Sequence, residues 1–237
     1  MALLCFPSAG GDTAAYRGWQ EAFGPEVEVL PAALPGRGRR IEDALIGSIT
    51  EMADALVEPA IDAIASRPAV LFGHSMGALI AFELAHRLMA RDATPELLVL
   101  SGTPGPDDAG LVTDAYDGKS DREIVDFVRS LGLTPEEIFD YPDLQELLLP
   151  VLRNDIEASG RYTAPPRAPL PVPLLVLSGS HDPLVDPARL RLWGKQTTQE
   201  TRVVVFDGGH DFVNVRRELV VEAINEAVGV AAAVRSL

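Results

Sequence analysis

Short, almost continuously apolar runs alternate along this chain with longer stretches whose apolar residues recur every three or four positions. The runs are Ala2–Phe6, Val27–Leu30, Ala69–Phe72, Leu97–Leu100, Leu174–Leu177 and Val203–Phe206. A strand that is apolar on both sides of its pleat is one covered on both faces, as parallel strands are. The amphipathic stretches are Thr13–Phe23, Ile49–Ser66, Met76–Arg91, Pro187–Gln196 and Phe212–Val228, lying between and after the runs. This β-α alternation predicts an α/β architecture, a mostly parallel central sheet with helices on both faces.

One interval breaks the rhythm. From Thr103 to about Ser159 no good strand pattern occurs. The stretch opens as Thr-Pro-Gly-Pro-Asp-Asp-Ala-Gly and continues with short helical patterns at Asp121–Ser130, Pro135–Phe139 and Asp143–Ile156. An insertion of this size between sheet strands reads as a helical lid or a binding subdomain. The proline-rich run Ala164–Pro173 then returns the chain to the sheet as a stiff, extended connector. The expected division is a core of residues 1–103 and 160–237 with a lid over 104–159.

Composition narrows the partners. The 237 residues suit one sizeable core, and 47% hydrophobic with 23% charged residues is the balance of a globular protein. Twenty basic against 35 acidic residues leave a formal net charge of −15, which disfavours nucleic acid and anionic lipid as partners. The single cysteine, Cys5, has no internal disulfide partner, no Cys/His cluster has metal spacing, and no apolar run is long enough to span a membrane. The apolar start has no basic region and stops at Pro7, so no signal peptide is expected and the location expected is the cytoplasm.

The strongest chemical signal is Gly73-His-Ser-Met-Gly77, placed after the run Ala69–Phe72 and before the helical pattern Ala78–Arg91. In this strand–turn–helix context Gly-x-Ser-x-Gly presents Ser75 as a nucleophile, with the helix N-terminus aimed at the reacting oxygen. A serine hydroxyl is a weak nucleophile and needs a base, itself oriented by a carboxylate. In folds carrying this turn the chain order is serine, acid, histidine. The run Leu174–Leu177 ends in Ser-Gly-Ser-His-Asp182, and Val203–Phe206 ends in Asp-Gly-Gly-His210, which supplies both at successive strand ends.

The rivals fit less well. His74 adjoins the nucleophile on a turn that points it away, His86 falls mid-helix, and His181 precedes the last strand. Asp186, Asp207 and Asp211 read as caps or loop charges. Asp155, on the last helix of the insertion, stays open as an alternative acid. An oxyanion hole needs two backbone donors. One is expected from Met76, the other from Pro7-Ser-Ala-Gly-Gly11, where Ala9 is the best single candidate. The chemistry calls for no metal and no cofactor.

Six segments in this order, Phe6-Pro-Ser-Ala-Gly-Gly11, Leu34-Pro-Gly-Arg-Gly-Arg-Arg40, Gly73–Gly77, Leu152-Arg-Asn-Asp155, Gly179-Ser-His-Asp-Pro183 and Gly208-Gly-His-Asp-Phe212, give the chain a family likeness over nearly its whole length. It resembles the external, type II thioesterases of polyketide synthase and nonribosomal peptide synthetase pathways, members of the α/β-hydrolase superfamily. The resemblance implies an α/β-hydrolase fold with a helical lid. It also implies hydrolysis of acyl or aminoacyl groups from the phosphopantetheine arm of acyl or peptidyl carrier proteins. It maps the triad onto Ser75, Asp182 and His210 and the oxyanion donors onto Ala9 and Met76.

Two departures stand out. Position 8 is Ser where such proteins often carry a larger residue, and the usual segment before Phe-Pro-x-Ala-Gly-Gly is almost absent. A sheet trimmed in this way, of six or seven strands, would put Ala2–Phe6 near an exposed edge. Carrier proteins are themselves generally acidic, so docking on so acidic a chain needs a local basic patch, for which Arg37, Arg39 and Arg40 are candidates. Competing readings are a small-molecule esterase or an acyltransferase with the same triad, and a non-catalytic carrier-binding protein, against which the complete triad argues.

Overall fold

The computed structural model describes residues 1–65, 67–106, 118–133 and 141–235. Six strands, β1 (Ala2–Phe6), β2 (Glu28–Pro31), β3 (Ala69–His74), β4 (Leu97–Ser101), β5 (Leu174–Gly179) and β6 (Thr201–Phe206), form one sheet of order β2-β1-β3-β4-β5-β6. Every pairing is parallel. Helices α1 (Trp19–Phe23), α2 (Ile49–Ile64), α3 (Met76–Met89), α4 (Asp121–Leu131), α5 (Pro142–Gly160), α6 (Phe212–Val215) and α7 (Arg217–Arg235) complete the fold.

The period-two alternation along β1 sorts its side chains between two apolar layers. Ala2, Leu4 and Phe6 pack on one face with Met52 and Leu56 of α2 and Leu79 and Phe82 of α3. Leu3 and Cys5 pack on the other with Trp19 and Phe23 of α1 and Val220 and Ile224 of α7. Burying one such Leu, Ile or Phe side chain contributes roughly 1.5–3 kcal/mol, so it is the helices on both faces that hold the sheet.

β1, expected near an exposed edge, stands one strand in from it. The chain goes outward from β1 to β2, then returns to lay β3 on the other side of β1. The edge positions therefore fall to β2 and β6, and all five residues of β1 are buried. The β2 edge is short, four residues, and ends in Pro31, which cannot donate a ladder hydrogen bond. The reversal between β1 and β3 also fixes where a site can form. In open parallel sheets the crevice lies beyond the carboxyl ends of the strands at such a switch point. Phe6 pairs in register with Gly73, so the loop after β1 and the turn after β3 leave the sheet side by side.

Three helical expectations are revised. Thr13–Phe23 is a short 3-10 turn at Thr13–Tyr16, then α1, broken at Gly18, which sits at φ 80°. Phe212–Val228 is divided at Arg216 into α6 and α7. Pro187–Gln196 is 3-10 throughout, opened by Asp186, whose carboxylate accepts from the Ala188 N–H. Pro135–Phe139 lies outside the described residues.

The proline-rich connector is anchored on a buried ionic knot. Glu83 of α3, fully buried, accepts two hydrogen bonds from Arg167 (2.6 and 3.0 Å), one from the Tyr162 hydroxyl (2.6 Å) and one from Arg87 (2.6 Å). Burial alone would raise the Glu83 carboxyl, but the hydrogen bonds from Arg167, Tyr162 and Arg87 outweigh it and hold the pKa lowered. A carboxylate lowered on folding adds stability above its unfolded pKa, and that stability is lost as pH falls through the folded value. Glu83→Gln should therefore destabilise the protein by about 3 kcal/mol, the lower end for breaking a buried pair because both arginines keep some solvent. Denaturant titration at several pH values checks this, since the variant should also lose part of the acid-side decline.

Candidate active site

Ser75 occupies the elbow between β3 and α3 at φ 55°, ψ −121°. A non-glycine residue is held in this region only where its surroundings over-determine it. Here packing does so. A Cβ added at Gly73 would lie 2.0 Å from the Gly77 carbonyl oxygen, and one at Gly77 would lie 2.0 Å from that of Phe6. Nothing in the backbone can yield at either contact, which is why the motif carries glycine on both sides. The Ser75 N–H donates to the Ser101 carbonyl at 2.7 Å, tying the elbow to β4. The Ser75 side chain makes no capping bond to α3, so its hydroxyl is not used by the helix.

His210 and Asp182 leave adjacent strand ends. Their loops are stitched together by Ser180 N–H to Phe206 O (2.8 Å) and His181 N–H to Gly208 O (2.9 Å). Nδ1 of His210 lies 2.8 Å from Oδ2 of Asp182, both side chains being fully buried. Asp182 Oδ1 accepts from the Leu184 N–H at 2.9 Å, which fixes the carboxylate plane. A carboxylate facing Nδ1 makes that nitrogen the donor and leaves Nε2 as the basic one. Nε2 is buried and has no hydrogen-bond partner among the described residues. Gly102 lines the same cavity as Ser75, and a Cβ there would stand 3.1 Å from the His210 ring, so His210 closes on the serine's side of the sheet.

His74 points away from the serine, with Nδ1 2.9 Å from the Ser101 hydroxyl and its ring 4.8 Å from that of His210. Burial first, and the neighbouring His210 second, push its pKa well below the ordinary imidazole value. His86 packs edge-on against Phe82 (5.0 Å) and is lowered to about 4, chiefly by burial, while His181 is exposed. Asp207 pairs with Arg216.

In the loop after β1 the two glycine amides are already committed. Pro7 has none, the Gly11 N–H donates to Ser8 O (2.9 Å), and the Gly10 N–H donates to Asp155 Oδ2 (2.8 Å). Ala9, Ser75 and Met76 line one cavity of about 290 Å³. Its apolar wall comes from Leu79 on α3, Phe127, Val128 and Leu131 on α4, Leu133, and Ile156 on α5. Ile124 and Val125 of α4 instead pack with Leu152 and Ile156 of α5, and Leu147 is exposed. Leu133 and Ile156 line the cavity without having stood out in the sequence.

Two expectations about charge are corrected. Arg37 is not a surface cation. It is buried against Asp155, to which both terminal guanidinium nitrogens donate, Nη2 to Oδ1 at 2.9 Å. Arg40 is engaged by Asp43 (2.6 Å) and the Ala33 carbonyl, which leaves Arg39 alone of the three exposed. Asp155 in turn is committed to Arg37 and Gly10, whereas the carboxylate bonded to His210 is Asp182. Among the described residues no group of His, Cys, Asp and Glu could hold a metal ion, and no helix is long and apolar enough to cross a membrane.

A parallel six-stranded sheet with a strained serine at its switch point defines an α/β-hydrolase. The family model for the thioesterase domain matches residues 1–228, and the chain belongs to this family of thioester hydrolases. It is 34% identical over 226 residues to "Probable cadicidin biosynthesis thioesterase" of Streptomyces griseus, covering 95% of this chain and spanning 62% of that relative's length. Among solved structures, RedJ, a thioesterase from the prodiginine pathway of Streptomyces coelicolor, superposes with a TM-score of 0.85 at 34% identity, over 94% of this chain and 89% of that one. ClbQ, from the colibactin pathway, gives 0.90 at 28% identity over 98% of each chain.

Proposed function

We propose that this thioesterase acts in a polyketide or nonribosomal peptide pathway, in the cytoplasm, clearing acyl or aminoacyl groups from the phosphopantetheine arm of carrier proteins. Ser75 Oγ attacks the thioester carbonyl while His210 Nε2 takes its proton, and Asp182 holds the imidazole in the tautomer that allows this. The Ala9 and Met76 N–H groups receive the developing oxyanion. His210 passes the proton to the departing pantetheine sulfur, then takes one from water, which cleaves the acyl-serine ester and regenerates the hydroxyl. The insertion, residues 104–159, is the lid over a core of 1–103 and 160–237, and its apolar wall receives the acyl chain.

The observation that carries this reading is the 2.8 Å bond between His210 and Asp182, which leaves Nε2 buried and unsatisfied, with Gly102 packing on that ring and lining one cavity with Ser75. The apo elbow shows no bond between Ser75 and His210 among those described, and such contacts commonly tighten only once substrate is bound. Intact-mass analysis of carriers loaded with short and long acyl groups tests the reading, with an oxygen ester of the same acyl group in parallel. The carrier thioester should be cleared faster. Faster cleavage of the oxygen ester would favour a small-molecule esterase, and transfer to an added alcohol or amine in place of hydrolysis would favour an acyltransferase.

A further inference from the structure

Three segments far apart in the chain meet at one buried carboxylate. Asp155, on α5, is fully buried and accepts from both ends of the Arg37 guanidinium and from the Gly10 N–H at 2.8 Å. Asn154 beside it donates to the Ile46 carbonyl (2.9 Å) and to Asp155 Oδ1 (3.1 Å). Arg37 is set by a bond from its own Nε to the Pro35 carbonyl (3.2 Å). One turn earlier on α5, Leu152 presses on the same glycine, since a Cβ on Gly10 would lie 2.3 Å from its Cδ2. Gly10 itself stands at φ 72°, a conformation only glycine adopts without strain.

We infer that Asp155, charged and oriented by Arg37, is a positioning residue for the oxyanion hole. The inference rests on the reading of Ala9 as an oxyanion donor. The Ala9 N–H lies in the Ser8–Ala9 peptide plane, which the Gly11 N–H holds through Ser8 O (2.9 Å), and the Asp155 bond to the Gly10 N–H fixes the next plane, so the two bonds together set the turn that aims the Ala9 N–H. A charge-assisted bond is suited to this, because it is shorter and stronger than one between neutral groups. Arg37, donating through both terminal nitrogens, holds the carboxylate so that it does not turn away. The same bond fastens the insertion to the catalytic loop, so the wall of the cavity and the oxyanion donor are set by one group.

Asp155→Asn keeps the shape and loses the charge, leaving Arg37 unpaired. Its kcat on a short acyl thioester of N-acetylcysteamine should fall about 30-fold, somewhat less than the 10²–10³ lost with an entire oxyanion donor, while KM changes less than threefold. Affinity for butylboronic acid, whose serine adduct places an oxygen in the hole, should fall by a similar factor. A purely structural role would reduce the active fraction and leave that affinity alone.

The double variant Arg37→Met/Asp155→Leu separates the roles further. Removing both members of a buried pair is often neutral or stabilising, so it should recover the Tm that the single variant loses, yet not its kcat. Recovery of kcat along with Tm would overturn the inference. So would Asp155→Asn with kcat within twofold of wild type, or with unchanged boronate affinity. Failure of the reading beneath is told apart by Ser75→Ala: full turnover there overturns both, whereas an inactive Ser75→Ala beside a fully active double variant overturns the positioning role alone.

Discussion

Ser75→Ala should fold like the parent and lose turnover by a factor on the order of 10⁵ or more, as serine enzymes do when the nucleophile is deleted. The folding half of this expectation follows from the elbow. Its backbone strain is imposed by the Gly73–Gly77 and Gly77–Phe6 contacts and by the Ser75 N–H bond to Ser101, none of which involves the serine hydroxyl. Alanine accepts the same close packing. Single-turnover assays on a loaded carrier, with Tm measured on the same sample, test both halves. A variant that still clears the carrier at more than a hundredth of the parental rate would remove the acyl-serine from the mechanism.

The second large effect is expected at Asp182. Asp182→Asn preserves the size of the group and its acceptor for the Leu184 N–H. It places either an amide N–H or a neutral oxygen against His210 Nδ1. The favoured tautomer then carries its proton on Nε2, where a base must have none, and the imidazolium loses its counter-charge. A drop in kcat of about 10⁴-fold with little change in KM is the magnitude such an exchange gives in a Ser-His-Asp triad. The contrast with Asp155→Asn is diagnostic, because the two buried aspartates serve different atoms. If the larger loss appeared at Asp155, the assignment of the acid would have to be exchanged.

What could be read from the chain divides along physical lines. The strands were legible because parallel strands covered on both faces are apolar at every position, and Leu97–Leu100 and Leu174–Leu177 fall within β4 and β5. Their order was not, since nothing in Ala2–Phe6 reports whether a neighbour lies on one side or two. Hence β1 was expected near an edge, and that the short β2 covers its outer side could not be read from it. The Gly-x-Ser-x-Gly turn announced itself because its glycines answer to contacts within a few residues and to one neighbouring strand. The buried pair Arg37–Asp155 did not, although both residues sit in family-like segments. An arginine beside two others in a polar loop looks solvated until a carboxylate 118 residues away is placed against it. Cavity-lining Ile156 was hidden for a similar reason, as helical periodicity marks a buried face without saying what it is buried against.

Helices α4 and α5 share a small apolar cluster, Ile124, Val125, Val128, Leu152 and Ile156, distinct from the two layers that clamp the sheet. Mutations that reshape the cavity wall at Phe127, Val128 or Leu131 therefore draw on a separate reserve of packing from the one that maintains the strained elbow. Under the proposed function, substitutions in that wall change the space offered to the acyl chain without touching the elbow. The bond from α5 to Gly10 sets the limit of that freedom, because a change that shifts the helix bodily also reaches the catalytic loop.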